Sequence, residues 1–390
     1  MKTICHIGPG QPVHHMRIFH RICWSQVKAG YRVAMIAHQD AETHNDGMHI
    51  HDLGRLRNAT LRWNLWSRLQ RNFKAYFMAR HMQADLYFFY SPEFVPFALL
   101  LKWLSGKPVV FDCMEDFVGY AQQHSGIPKR LRGTVAFMIS KVFGIAARQL
   151  DFITVADQGT AAQFLKHTPK VLTLYNFPRL DLFPPAASYA FEKREFDLVY
   201  HGTNHRNYLE LLLEIDQQLL ALGVAAHWYI FGTFAELAWF RGAIARQGAE
   251  HRFVIGGLVP HVEVFKEVQR ARIGIIPLPA LPKYLNNIPQ KLFEFMALEM
   301  PMVLSDLPPS RPFVAESEAA IMVDPDSALA YAMAIKQLLT DPASSQAMGR
   351  RGRKLVAQRW NWDSEAEKLA LLVKSLLEQQ VNTDAVQVNN

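Results

Sequence analysis
A lysine and a glutamate three residues apart, Lys291 and Glu294, lie in the segment NNIPQKLFEFMALEMP. It runs from Asn286 to Pro301, directly after an apolar stretch ending near Leu278. Pro289 suits the first turn of a helix, because the N–H it lacks would have had no intrahelical partner there. A helix starting at that point turns free backbone N–H groups and a partial positive charge outward, which suits an anionic phosphate. Lys291 adds a full charge to that end. A carboxylate at Glu294, a turn further in, can accept both hydroxyl protons of a ribose. That chemistry is nucleotide binding. The same two residues would also serve as ordinary exposed positions of a surface helix, and the mechanics alone leave both readings open.

Other residues with chemical potential carry less information. Asp112, Glu115 and Asp116 cluster in VVFDCMEDF, at the mouth of an apolar run, and read either as site acids or as helix caps with solvent-facing charge. The GPGQP segment, Gly8 to Pro12, reads as a loop whose backbone could approach phosphates closely. Its Gly8 and Gly10 fit the start of the dinucleotide fingerprint, but Val13 stands where the third glycine belongs, so nicotinamide binding is unsupported. Asp324-Pro325-Asp326 favours a turn and helix N-cap over a metal site. His49 and His51 lie on alternate strand positions with no third ligand at suggestive spacing, and no metal site is expected. Cys5, Cys23 and Cys113, odd in number and set far apart in apolar surroundings, read as reduced cytosolic thiols.

The elements that must position these residues are legible as short apolar runs separated by helical stretches. Residues 2–8, 31–38, 84–90, 107–113 and 150–156 form one series. Residues 196–202, 226–232, 251–257, 271–278, 300–306 and 319–325 form a second. This alternation predicts an α/β chain with two doubly wound parallel sheets. The expected organisation is an N-terminal domain over 1–180, a linker over 181–195 around Pro184 and Pro185, and a C-terminal domain over 196–358. A last helix over 359–380 and a disordered tail over 381–390 follow. In open sheets of this kind ligands bind beyond the carboxyl ends of the strands, which selects Gly8 to Arg17, Tyr90 to Phe94, Asp112 to Asp116, Gly202 to Arg206, Gly232 to Phe234 and 277–294.

Charge is distributed unevenly. Residues 1–180 hold 22 Lys and Arg against 11 Asp and Glu, whereas residues 181–390 hold 20 against 24. From Arg55 to Arg80 there are seven basic residues and no acid, interleaved with Trp63, Trp66, Phe73, Tyr76 and Phe77. Such a helix suits an anionic membrane surface or packs its apolar stripe on its own domain; no recognised nucleic-acid-binding motif accompanies it. The opening MKTICHIGPG is interrupted before it could serve as a signal-peptide core, and no uncharged apolar run reaches membrane-spanning length. A cytoplasmic protein, with membrane association no more than peripheral, is the expectation.

The Asn286–Pro301 segment resembles the donor-site signature of retaining GT-B glycosyltransferases of family 4, which reads Pro, any residue, Lys-Leu-Phe-Glu-Tyr-Met-Ala, a step containing Gly, then Pro-Val. Further segments are similar to bacterial surface-polysaccharide transferases: Met16-Arg17-Ile18-Phe19-His20 followed by WSQVKAGYRV, ADLYFFYSPEFVP at 84–96, VVFDCMEDF at 109–117, LTLYNFP at 172–178, HGTNHRNYLELL at 201–212 and the final RWNWDSEAEKLALLVKSLL at 359–377. The resemblance implies two Rossmann-like domains facing across a cleft, with the last helix crossing back to the N-terminal domain. It implies a metal-independent hexosyl transfer from a UDP-sugar or GDP-sugar to a glycan acceptor, and the basic N-terminal half suggests that the acceptor is lipid-linked, at an anionic membrane. It also assigns the ribose to Glu294, and the diphosphate is then expected near Arg206, Lys291 and the backbone at Gly202 and Thr203. Gly10, Gly232, Asn287, Gln290 and Leu292 complete the donor set. Glu115, His15 and Asn286 are the candidate catalytic residues, the first two as bases.

The chain departs from that pattern at several positions. Asn286 stands where the family has the first glutamate of a pair spaced by seven residues, Glu299 where Gly is common, His15 where Asp is usual, Ser91 before Pro-Glu, and Met114 in place of a His that lies near sugar and acceptor. Asn286, Ser91 and Met114 motivate one alternative to an active transferase, a catalytically silent GT-B-like partner in a polysaccharide assembly complex; a second is a sugar-nucleotide epimerase, which shares the GT-B architecture.

Overall fold
The computed structural model describes residues 1–38, 46–54, 65–123, 126–185, 191–259 and 261–388. The chain divides into an N-terminal unit, Met1–Asn176 with Trp362–Asn390, and a C-terminal unit, Phe177–Asn361.

The N-terminal unit holds strands β1 (Thr3–Pro12), β2 (Arg32–His38), β3 (His49–Asp52), β4 (Leu86–Phe89), β5 (Val109–Cys113), β6 (Phe152–Val155) and β7 (Val171–Thr173). They form one parallel sheet in the order β3-β2-β1-β4-β5-β6-β7. The helices are α1 (Trp24–Lys28), α2 (Leu65–Met82), α3 (Val95–Ser105), α4 (Phe117–Gln123), α5 (Arg132–Gln149) and α6 (Gln158–Leu165). One apolar layer joins the sheet to Tyr76 and Ala79 of α2, Ala98 and Leu101 of α3 and Phe143 and Ala147 of α5. A second layer packs the π-helical turn Ile18–Cys23 and the C-terminal helix against the same sheet. Both faces are therefore covered, which is why the strands read as near-continuous apolar runs.

The C-terminal unit holds β8 (Phe196–Asn204), β9 (Trp228–Phe234), β10 (Phe253–Ile255), β11 (Ala271–Ile276), β12 (Met302–Ser305) and β13 (Ala320–Val323), in the order β10-β9-β8-β11-β12-β13. Its helices are α7 (Arg206–Ala221), α8 (Leu237–Arg246), α9 (His261–Val268), α10 (Pro282–Asn286), α11 (Gln290–Ala297), α12 (Arg311–Ser317), α13 (Ala328–Thr340) and α14 (Pro342–Gln358). The strand order reverses between β8 and β11, and the carboxyl ends at such a switch point are where ligands bind in open α/β sheets. The two sheets are thus both doubly wound and Rossmann-like, as the alternating apolar runs predict.

Three local expectations change. Gly8 to Pro12 is not a loop: β1 continues through it, with its register against β2 broken between Ile7 and Pro12. The 181–195 segment does not link two bodies, at least over its described residues. Phe183 stacks on Phe265 with ring centroids 3.8 Å apart, and buried Arg194 donates to the Ala271 carbonyl at 3.0 Å, so both ends pack into the C-terminal unit. Residues 186–190 lie outside the described residues. The tail expected to fray continues a helix, α15 (Trp362–Val388), because nothing in EQQVNTDAVQV breaks it with Gly or Pro. Trp362 anchors α15 within the N-terminal unit, its indole N–H donating to Ser25 Oγ at 2.7 Å.

A buried ion pair organises the N-terminal unit. Arg17 donates to both carboxylate oxygens of Asp112 at 2.8 Å, to the Leu174 carbonyl at 2.7 Å and to Asn176 Oδ1 at 2.9 Å, while Thr154 Oγ1 donates to Asp112 at 2.6 Å. Removing one member of such a pair leaves the other charge buried and costs roughly 3–5 kcal/mol. Asp112 is therefore a scaffold residue rather than a reacting acid.

Candidate functional site
Beyond the carboxyl end of β11, α10 and α11 carry the segment that the sequence singles out. Pro289 is the N-cap of α11, one position earlier than the first helical turn, with extended backbone (φ −69°, ψ 124°). Leu292, Phe293, Phe295, Met296 and Ala297 bury one side of the helix. Lys291 and Glu294, three residues apart, share the remaining side. The helix can lie this close to the sheet because β11 has Gly274 beneath it; a β-carbon there would come 2.3 Å from the Phe295 ring.

Lys291 is packed against the end of β8. Its Nζ lies 4.6 Å from the centroid of the Tyr200 ring, a cation–π arrangement, and makes no hydrogen bond or ion pair among the described residues. A β-carbon on Gly202 would stand 3.2 Å from that nitrogen. Burial pulls the ammonium down from 10.5 to about 8, and the nearby Glu294 carboxylate offsets part of the effect. His201 Nε2 is 3.9 Å from Glu294 Oε2. His201 is itself stacked on Phe231 at 5.4 Å and meets Phe295 edge-on at 5.7 Å. The result is a cation and a carboxylate fixed by aromatic rings beside the open end of β8, an arrangement suited to phosphate at one end and paired hydroxyls at the other.

Gly202 and Gly232 face each other in the β8–β9 register, both in the positive-φ region at +122° and +120°. A β-carbon on Gly232 would sit 2.2 Å from the Gly202 carbonyl oxygen. Gly232 thus acts through Gly202, holding the backbone that borders Lys291. Gly232→Ala is expected to destabilise the C-terminal unit by roughly 2–4 kcal/mol, from positive-φ strain and the clash together. A lowered urea midpoint with unchanged m-value checks this.

Arg206 is not gathered with the others. It starts α7, half exposed, donating to Glu210 at 2.9 Å and Glu236 at 3.3 Å, with its guanidinium 4.4 Å from the Trp239 ring centroid. Thr203 is exposed at the end of β8, and Asn286 is exposed at the end of α10. Asn287 Oδ1 is buried with no hydrogen-bond partner among the described residues. Gln290 is part-buried at the first position of α11, and Leu292 is a core residue, its N–H bonded to the Pro289 carbonyl at 3.1 Å. A hydrogen bond of 2.6 Å between Tyr208 and Tyr284 ties α7 to α10.

In the N-terminal unit the candidates sit at strand ends. Gly10 lies in the extended end of β1, where a β-carbon would be 3.9 Å from Ser91 Oγ. His15 is half-buried, its Nδ1 without a partner among the described residues, and burial, then Arg17 and Arg21, push it down to about 4. Such an imidazole is neutral at physiological pH and a weak proton acceptor. Glu115 is exposed beyond β5, and Met114 beside it is buried. Asp116 is a helix cap: its Oδ1 accepts from Gly119 N and Gln163 Nε2, both at 2.8 Å.

Among the described residues no group of three His, Cys, Asp or Glu could hold a metal ion. Asp324 accepts from Asp326 N at 3.0 Å in a turn, and Ser327 caps α13. Cys5, Cys23 and Cys113 are all buried free thiols. Sequence reasoning missed Tyr200 and His201, which read as ordinary strand residues of FDLVYHG. The available signal was their place immediately before the glycine that ends the run.

Residues 195–341 match the family model described as group 1 glycosyl transferases. Solved structures similar to the whole chain include a sucrose-phosphate synthase from Thermosynechococcus elongatus (18% identity, 97% of this chain and 100% of that chain, TM-score 0.75). Another is Anabaena HepE in complex with UDP-glucose (14% identity, 96% and 100%, TM-score 0.70). A third is WaaG, a glycosyltransferase involved in lipopolysaccharide biosynthesis (12% identity, 95% and 99%, TM-score 0.67). No curated protein matches the chain. Two Rossmann-like units with this likeness over nearly their full length place the protein in the GT-B fold class.

Proposed function
We propose that this protein is a retaining, metal-independent glycosyltransferase of the family-4 type. In this reading it moves a hexosyl group from a UDP-sugar or GDP-sugar to a lipid-linked glycan acceptor in the assembly of a bacterial surface polysaccharide. The observation that carries the reading is the pairing of Lys291 with Glu294 on one side of α11, at the strand-order switch of the C-terminal unit. The glycosyl transferase match over residues 195–341 supports it, and the likeness to HepE, whose structure holds UDP-glucose, makes UDP the first nucleotide to test.

In this reading Glu294 accepts the ribose hydroxyls and Lys291 lies against the diphosphate, with the amides at the start of α11 and at Gly202 and Thr203. Cleavage of the bond between the anomeric carbon and the phosphate oxygen gathers negative charge on the leaving diphosphate, which a fixed ammonium and oriented amides stabilise. The acceptor hydroxyl attacks the face that the nucleotide leaves, and its proton passes to the departing phosphate oxygen. No side-chain base is needed, which accords with the weak basicity of His15 and the solvent exposure of Glu115. The N-terminal unit takes the acceptor and meets an anionic membrane from the cytoplasmic side.

Thermal unfolding with UDP, GDP, ADP and their sugar conjugates tests the donor assignment, because a ligand bound only by the folded state raises Tm. One nucleotide series should stabilise the protein, and the cognate sugar nucleotide should be slowly hydrolysed when no acceptor is present. Stabilisation by none would favour the silent-partner reading, to which the engagement of Arg206 with Glu210 and Glu236 also lends weight. Interconversion of the sugar without loss of nucleotide would identify an epimerase.

A further inference from the structure
Helices α2, α3 and α5 cover one face of the N-terminal sheet. Their inward sides are spent in the core through Tyr76, Leu101 and Phe143 and their neighbours. A helix satisfied on one side ordinarily turns a polar side to water. These three turn a second apolar side outward instead. Trp66 is 66% exposed, Phe77 54%, Trp103 72% and Phe137 61%. Trp66, Phe73 and Phe77 recur at helical spacing along α2, opposite the buried stripe of Asn72, Tyr76 and Ala79. The surface is continuous: Phe73 meets Phe97 of α3 edge-on at 5.0 Å, and Lys102 of α3 donates to the Gln149 carbonyl of α5 at 2.7 Å.

The helices of this face carry charge of one sign, and Glu93 and Asp151 from the flanking segments pair with Arg68 and Lys102. Leu65–Met82, Val95–Ser105 and Lys129–Gln149 together contain ten Lys and Arg and no Asp or Glu. Cations stand beside the exposed rings, as where Lys141 Nζ lies 5.0 Å from the Phe137 centroid. At the end of α2 a groove of about 590 Å³, lined by His51, Lys74, Phe77, Met78, His81 and Met82, extends the apolar surface toward the edge strand β3. The core of a protein–protein interface is depleted of lysine, whereas rings among a clear excess of Lys and Arg match a bilayer surface, where rings enter the acyl boundary and cations stay at the phosphates. No described helix is long and apolar enough to cross a membrane.

We infer that the outer surface of α2, α3 and α5 is a docking face for an anionic lipid bilayer, with Trp66, Phe77, Trp103 and Phe137 seated at the acyl boundary and the surrounding Lys and Arg at lipid phosphates. The inference rests on the membrane-borne acceptor of the preceding reading and gives it a physical location on the chain.

The test uses the full chain and vesicles of phosphatidylcholine with or without about one-third phosphatidylglycerol, near physiological ionic strength and at low salt. Binding should require the anionic lipid. Brominated acyl chains should quench tryptophan fluorescence. The combined substitutions Trp66→Ser, Phe77→Ser, Trp103→Ser and Phe137→Ser should weaken vesicle binding at least tenfold and abolish the quenching, while the nucleotide-induced rise in Tm persists and shows that the variant folds. Absence of vesicle binding even at low salt overturns the inference. So does equal binding by the aromatic variant, or capture of oligonucleotides in preference to vesicles. Vesicle binding without any nucleotide effect would instead count against the donor assignment alone.

Discussion

Glu294→Ala is expected to raise the Kd for the cognate nucleoside diphosphate at least a hundredfold while leaving the fold intact. Hydrogen bonds to a charged acceptor contribute roughly 1.5–3 kcal/mol each, and in the proposed donor complex two ribose hydroxyls share this carboxylate, so their loss exceeds the about 2.7 kcal/mol that a hundredfold change in Kd represents. A thermal scan makes the effect visible. At a ligand concentration of a hundred times Kd the wild-type protein gains about 2.7 kcal/mol, and the variant at the same concentration gains only about 0.4 kcal/mol. Glu294→Gln keeps one strong acceptor and should fall between the two. His201 sharpens the prediction, because it approaches the same carboxylate to 3.9 Å while fixed by stacking on Phe231. A His201→Ala variant should therefore lose part of the affinity without losing the preference for ribose over deoxyribose, a preference that Glu294→Ala abolishes. Equal binding of ribo- and deoxyribonucleotides by the wild type would sink the ribose assignment.

What could be read from the chain follows the range of the forces involved. Apolar runs between helical stretches are local patterns, and they locate eleven of the thirteen described strands to within a few residues; the short edge strands β3 and β7 lie outside the runs. Lys291 and Glu294 were legible for the same reason: their relation is set by one turn of one helix. Arg17 was not. It belongs to a short segment that reads as part of a ligand loop, and its real partner, Asp112, lies 95 residues further along the chain. Only the sheet order, with β1 and β5 both beside β4, brings the two together. His201 is similar, since its meaning depends on the β8–β9 register that stacks it on Phe231 and on the packing of α11 that delivers Glu294.

The misread segments share a cause. Gly and Pro at 8–12 signal a loop locally, but pairing with β2 and the Val13 N–H to His38 carbonyl bond at 2.9 Å keep the chain extended to Pro12. Prolines near 178–185 signal a linker, yet the aromatics between them have partners: Phe177 packs against Phe293 at 4.7 Å and Phe183 against Phe265. Apolar residues inside a Pro-rich stretch were the sign that it is packed. Polar composition after Glu378 signalled fraying, although helix continuation needs only the absence of breakers once α15 has begun.

Lys291→Met should separate stability from function, and the sign of each effect follows from the depressed ammonium. In the folded, ligand-free protein the group titrates at about 8 rather than 10.5. Between those values the unfolded chain holds more protons than the folded one, so stability rises with pH across that window. Below pH 8 both states are protonated and the folded protein carries the whole cost, about 3 kcal/mol by linkage. Methionine removes that cost and forfeits the contact with Tyr200, worth roughly 0.5–2 kcal/mol. The variant should therefore be more stable than wild type by about 1–2 kcal/mol at pH 7, with the advantage gone by pH 10.5. Binding should move the other way. The diphosphate of a sugar nucleotide keeps the same charge across this range and its uracil or guanine ring ionises mainly above pH 9, so a loss of affinity that already sets in between pH 8 and 9 reports the ammonium itself. Wild-type affinity should be flat below pH 8 and fall up to tenfold for each further pH unit, whereas Lys291→Met should bind weakly and without that slope. Calorimetric titrations at pH 7, 8 and 9 with denaturant curves at the same values decide it. A variant that is no more stable at pH 7 would mean that the folded protein carries no cost for this ammonium, and a wild-type affinity unchanged at pH 9 would mean that the Lys291 ammonium is not what meets the diphosphate. A stability gain accompanied by loss of the pH-dependent affinity identifies a charge kept unpaired in the free protein because the donor supplies its partner.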